Sequence, residues 1–219
     1  MRAQNTLAAL AVVTAVALLS GCATAYYGTM EKLGIHKREI LVDRVGEARD
    51  AQEEAKEQFS SALERFTVVL GFEGGDLQDK YDELNKEFER SESRAEDVSD
   101  RIDAVEEVAA ALFEEWEDEL DLYTNAELKR ASQRQLADTK RQYAQLIDAM
   151  KRAERKIAPV LNAFRDQVLY LKHNLNAQAI ASLKGELASV ETDVAALIRD
   201  MERSIAEADR FIDSMGRSQ

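Results

Sequence analysis

Apolar residues in this chain recur alternately three and four positions apart and hold that phase for about forty residues at a time. A period of 3.5 suits an α-helix that turns one stripe toward a neighbour, and it does not suit a strand, whose period is two. Four such segments follow one another. The first runs from about Tyr27 to Leu70 on a seam of Leu41, Val45, Ala48, Gln52, Ala55, Phe59, Ala62, Phe66 and Val69. The second seam is Leu77, Tyr81, Leu84, Phe88, Ser91, Ala95, Val98, Ile102, Val105, Ala109, Leu112 and Trp116. The third is Ser132, Leu136, Thr139, Tyr143, Leu146, Met150, Ala153, Ile157, Val160 and Phe164. The fourth is Leu183, Leu187, Val190, Val194, Leu197, Met201, Ser204, Ala208, Phe211 and Met215, widened by Ile205 and Ile212. Segments of about 40–47 residues predict helices roughly 60–70 Å long at 1.5 Å per residue. Their similar lengths suit two antiparallel hairpins closing into one bundle. The expected fold is all-α: an elongated antiparallel coiled-coil or helical bundle of about four long helices, following an N-terminal signal peptide.

The breaks between segments differ in strength. Gly71-Phe72-Glu73-Gly74-Gly75-Asp76 ends the first helix and offers Asp76 as N-cap of the second. Thr124 with Glu127 fits a capping box that starts a third helix. Asn174 suits a left-handed cap, with Leu175 as its hydrophobic contact and Asn176 capping the fourth helix. Turns are favoured at the last two places, and longer unbroken helices are the alternative. Pro159, the single proline, is expected to kink the third helix.

Charge speaks to helix pairing. Residues 76–121 carry 19 acidic and 5 basic side chains, whereas residues 127–172 carry 5 acidic and 11 basic. Antiparallel packing about the intervening turn places Glu114, Glu115, Glu117, Asp118 and Glu119 near Lys129, Arg130 and Arg134. The net charge of −13 argues against nucleic-acid binding, in which basic surface supplies much of the affinity.

The N-terminus reads as an address. Met1-Arg2 gives a basic start, Leu7 to Leu19 is almost wholly apolar, and Leu19-Ser20-Gly21-Cys22 follows. This is the layout of a secretory signal peptide, too short in its apolar run for a good transmembrane helix. The tetrapeptide resembles the lipobox of bacterial lipoproteins, in which the cysteine is lipidated and the chain is cut before it. That resemblance implies lipid attachment at Cys22, the only cysteine, and a mature chain held to a membrane by two or more acyl chains. Ala23 rather than aspartate points, by the sorting tendency of such proteins, to an outer membrane with the protein facing the periplasm. The expected organisation is a signal peptide over 1–21, a lipidated tether over 22–26, one helical domain over 27–215 and a tail over 216–219.

Catalytic and metal signatures are missing from the sequence. Leu33 and Tyr170, not glutamates, stand three residues before His36 and His173, so the Glu-x-x-His pattern of di-iron bundles is absent. A zinc set of cysteines and histidines is not possible with one lipidated cysteine. The glycines at 71–75 lack the Lys-Ser/Thr of a phosphate loop. Adjacent carboxylates such as Glu106-Glu107 and Glu114-Glu115 read as solvated helix faces. Trp116 and Tyr123 read as seam residues rather than a ligand platform. His173, Asn174, Asn176 and Gln178 form one unusual polar cluster, read as turn capping or as a partner site at one tip.

Two stretches carry a family resemblance. One is Tyr26-Tyr27-Gly28-Thr29-Met30-Glu31-Lys32-Leu33-Gly34 continuing through Lys37-Arg38-Glu39-Ile40-Leu41-Val42-Asp43-Arg44-Val45. The other comprises Pro159-Val160-Leu161, Asp166-Gln167-Val168-Leu169 and Leu171-Lys172-His173-Asn174-Leu175-Asn176-Ala177. They resemble a family of proteobacterial predicted lipoproteins classed as a domain of unknown function, over about Tyr26 to Met215. The resemblance implies a helical lipoprotein and supplies no activity. The leading expectation is a non-enzymatic envelope scaffold, without catalytic residues, metal or cofactor. It would meet the membrane through its anchor, and a helical protein or a second copy of itself elsewhere. A bundle that binds a small molecule or lipid between its helices is the alternative.

Overall fold

The computed structural model describes residues 36–71, 77–174 and 177–217. They form four helices: α1 (Lys37–Gly71), α2 (Leu77–Leu120), α3 (Ala126–His173) and α4 (Ala177–Gly216). At 35, 44, 48 and 40 residues they span about 50–70 Å each. No strand occurs among the described residues. Helix α1 packs on α2 and α4, and α3 packs on the same two, which leaves α1 and α3 across the diagonal. Cross-helix pairs give the directions. Lys37 meets Glu115 at 2.9 Å and Arg65 meets Glu83 at 3.5 Å, so α1 and α2 are antiparallel. The guanidinium of Arg38 donates to the Met215 carbonyl at 2.8 Å, and Arg49 pairs with Asp209 at 3.0 Å, so α1 and α4 are antiparallel too. One end of the bundle therefore gathers the start of α1, the α2–α3 turn and the end of α4. The other end holds the α1–α2 and α3–α4 connections.

The heptad seams are the core. All nine seam positions of α1 are buried, including the polar Gln52. In α3 eight of the ten are buried, with Ser132 and Tyr143 half-buried. Seam positions of α2 and α4 are buried or half-buried without exception. On the bundle axis, toward the end with the α1–α2 and α3–α4 connections, the rings of Phe66 and Phe164 stack with centroids 4.6 Å apart, and Phe59 adjoins Phe164 at 6.4 Å. These rings meet across the α1–α3 diagonal, and all three are fully buried. Each contributes ~1.5–3 kcal/mol through removal from water. Stacking adds roughly 0.5–1.5 kcal/mol per pair.

The charge stripes pair along the length of the bundle. From α2 to α3, Glu117 reaches Lys140 at 2.6 Å, Glu106 reaches Lys151 at 2.6 Å and Glu92 reaches Arg165 at 2.9 Å. Two of the five basic residues of α2 turn to α1, Arg94 to Glu54 and Arg101 to Glu47, while Lys80 and Arg90 pair with Glu83 and Glu87 of α2 itself. Each exposed pair is worth at most ~1 kcal/mol, so the pattern selects neighbours more than it adds stability. Near the turn the expected partners are only partly met. Glu115 faces Lys37 of α1, and among the described residues no ion pair joins Glu114, Asp118 or Glu119 to Lys129, Arg130 or Arg134. Lys129 takes Asp121 at 3.1 Å.

Both later breaks are real, with caps that differ from expectation. The N-cap of α3 is Asn125, not Thr124. Its extended backbone (φ −91°, ψ 114°) lets its side-chain oxygen accept from the N–H groups of Glu127 at 2.9 Å and Leu128 at 3.1 Å. Asparagine caps as well as threonine, so the offset of one residue follows from two competent neighbours. Asn174 ends α3 at φ −136° and ψ 62°, which is not left-handed. Its N–H donates to the Leu171 carbonyl at 3.1 Å and its side-chain amide donates to the Tyr170 carbonyl at 3.0 Å. The side-chain bond supplies the carbonyl partner that a left-handed cap would otherwise provide. Leu175, Asn176 and the Phe72–Asp76 break lie outside the described residues. Helix α3 runs on through Pro159, whose side chain is on the exposed face. The carbonyl of Arg155 that loses its N–H partner there thus lies on the solvent side.

Candidate functional site

The sequence offers two candidates, the lipid anchor and the polar cluster at the α3–α4 turn. Cys22, Leu19, Ser20 and Gly21 lie outside the described residues. Of the cluster, His173 is exposed on the last turn of α3 and Asn174 is half-buried as the cap already described. Asn176 is outside the described residues, and of Gln178 only the helical backbone is described. The hydrogen bonds of Asn174 are all local, which is the capping role. What the polar reading missed is apolar: Leu169 and Tyr170 are 47% and 40% exposed one turn before His173. Their signal in the sequence was an apolar pair beyond the end of the seam at Phe164, between the buried Val168 and Leu171. The far tip thus presents Leu169, Tyr170 and His173.

A second cluster lies midway along α3 and α4. Asp200 is buried, accepts from Lys156 at 2.6 Å and meets Arg203 at 3.1 Å. The hydrogen bond from Lys156 holds its carboxyl below the usual aspartate range, opposing the upward pull of burial, and Arg203 and Arg152 add to the same effect. A carboxylate kept ionised between fixed cations is suited to holding helices in register. It is poorly suited to receiving a proton in catalysis. Tyr143 behaves oppositely: burial, reinforced by the nearby charge of Glu106, pushes its phenol up to about 12. Its ring packs edge-on against Phe113 at 5.4 Å, a packing role. Trp116 takes its seam place, half-buried, and its indole N–H donates to the Ser132 hydroxyl at 2.8 Å. Tyr123 does not: it stands exposed in the α2–α3 turn, because the helix ends before the seam reaches it.

Other polar contacts were hidden from the sequence. Gln58 of α1 donates its amide to the Glu87 carboxylate of α2 at 2.9 Å and lies 3.4 Å from the Ser91 hydroxyl. Both Gln58 and Glu87 stand off the seam and look like surface residues. A shallow polar groove of about 660 Å³ runs between α3 and α4, lined in part by Arg134, Gln142 and Ser214. Among the described residues no three histidines, cysteines or carboxylates converge to hold a metal ion, and no helix is long and apolar enough to cross a membrane.

Fold and tips together define a four-helix bundle of long helices with a buried aromatic layer. Over residues 26–215 the chain matches the family described as "Protein of unknown function (DUF2959)", and it belongs to that family. No curated protein and no solved structure matches it.

Proposed function

We propose that this protein is a non-enzymatic helical scaffold of the bacterial cell envelope, lipid-anchored at Cys22 and facing the periplasm from the outer membrane. The single observation that carries the scaffold reading is the polarity of the bundle along its axis. The chain enters at one end through α1, and the exposed Leu169, Tyr170 and His173 sit at the other, about 50–70 Å away. A rigid rod that holds one end near its anchor displays the other at a fixed distance. Exposed aromatic and aliphatic side chains on such a tip are the usual anchors of protein contacts. The lipobox residues Leu19, Ser20, Gly21 and Cys22 support the anchoring, as does the basic start before the apolar run. The rings of Phe59, Phe66 and Phe164 fill the centre at their level, which favours this reading over a ligand held between the helices.

Crosslinking of intact envelopes followed by coimmunoprecipitation tests the proposal, with a Leu169→Asp/Tyr170→Asp chain in parallel. The expected result is a reproducible partner, or a self-adduct, that the double substitution removes. A strictly monomeric wild-type chain with no reproducible partner would overturn it.

A further inference from the structure

Six large hydrophobic side chains are exposed among the described residues, and three of them fall within the α2–α3 turn and the first turn of α3. Leu122 is 79% exposed, Leu128 57% and Tyr123 41%. The Asn125 cap holds this turn in one shape, with Leu128 one of the two residues whose N–H it binds. These side chains are therefore fixed outward, and no other helix covers them. Three of the nearby acidic side chains are matched: Asp121 with Lys129, Glu117 with Lys140 and Glu115 with Lys37, at 3.1, 2.6 and 2.9 Å.

The position of this tip names its occupant. It lies at the end where α1 begins, as the contacts Lys37–Glu115 and Arg38–Met215 show. Only thirteen residues lie between Cys22 and His36, fourteen Cα-to-Cα steps with a reach of at most ~50 Å even fully extended. A lipid on Cys22 would therefore keep this tip, rather than the far one, at high effective concentration beside the headgroups. One tyrosine with two leucines is the composition that settles at a membrane–water interface. We infer that Leu122, Tyr123 and Leu128 form a bilayer-contacting tip that dips into the headgroup region and seats this end of the bundle on the membrane. The inference rests on the lipid-anchor reading of Cys22 and deepens it. Three side chains bind a bilayer weakly alone, and the acyl chains supply the first hold to which they add. Seating this end directs the long axis away from the membrane and holds Leu169 and Tyr170 at the far end.

Because Cys22 is the only cysteine and the lipid consumes its thiol, Thr124→Cys and Lys172→Cys each give one labelling site, at the near and far tips. The full lipidated chain, labelled with an environment-sensitive fluorophore, is reconstituted into vesicles of phosphatidylethanolamine and phosphatidylcholine and recovered by flotation. The expected result is a several-fold drop in iodide quenching at 124 on reconstitution, strong quenching there by nitroxide-bearing lipid, and neither effect at 172. Adding Leu122→Asp and Leu128→Asp to the Thr124→Cys chain is expected to abolish both effects while flotation persists. A floating chain whose label at 124 is as open to iodide as that at 172 would overturn the tip proposal alone. So would protection without quenching from the lipid, which would mean a protein covers the tip, or protection that survives both aspartates. Failure to float would remove the anchor reading and this proposal together.

Discussion

Gln52 occupies a seam position of α1, is fully buried, and makes no hydrogen bond from either its side-chain oxygen or nitrogen to another protein group. A buried amide left unpaired costs about 1–3 kcal/mol. Leucine has nearly the same size and adds apolar surface to the core. Gln52→Leu is therefore expected to stabilise the bundle by about 1–3 kcal/mol, raising a urea midpoint by roughly 0.5–1.5 M for a slope near 2 kcal/mol per M. Gln58→Leu supplies the contrast on the same helix. Its amide is bonded to the Glu87 carboxylate, which is only 7% exposed. Removing that donor is expected to cost about 1.5–3 kcal/mol, the usual worth of a hydrogen bond to a charged group. Urea titration followed by circular dichroism reads both. Opposite signs are the prediction. A loss of more than about 1 kcal/mol in Gln52→Leu, or equal shifts in both variants, would refute the reasoning that an unpaired amide weakens this layer. Ser204 of α4, also fully buried with an unpartnered hydroxyl, lies near the same level, because Arg49 meets Asp209 one turn away. Such polar seam residues commonly specify register at a cost in stability.

Three further outcomes are expected. Asn125→Ala should cost about 1 kcal/mol of thermal or urea stability while Thr124→Ala stays within about 0.5 kcal/mol, since only the former caps α3. The Asp200 carboxyl is depressed, so its contribution is present above the ordinary aspartate range and is lost as pH falls through its lowered value; Asp200→Asn should be less stable than wild type at neutral pH and converge with it below about pH 4. The Tyr143 phenol is raised, so its contribution is full below the ordinary tyrosine value and lost as pH rises toward about 12; alkaline melts should show this component disappear in Tyr143→Phe.

The fold was largely legible because one signal repeats. A 3.5-residue period carried over many turns leaves little choice of partner face, so every seam position is buried or half-buried in all four helices. The ends were less legible. Thr124 and Asn125 are both good caps, and sequence alone does not say which residue leaves the helix first. Glu115 was expected to face α3, yet α1 also reaches that end of α2 and offers Lys37. The tips were the least legible part. Leu122, Leu128, Leu169 and Tyr170 stand out only once it is known where the helices stop, because an apolar residue off the seam is ordinary until nothing covers it. The Gln58–Glu87 bond was hidden for a related reason: two long polar side chains on adjoining helices look solvated until their level is fixed.

Anchoring of the bundle to a membrane turns on the covalent state of Cys22. Mass spectrometry of the N-terminal peptide from the mature protein, purified from envelopes of cells expressing the full chain, tests it most directly. The predicted result is a chain that begins at Cys22 and carries acyl groups on that residue. A mature chain that keeps residues before Cys22, or begins there with an unmodified cysteine, would contradict it.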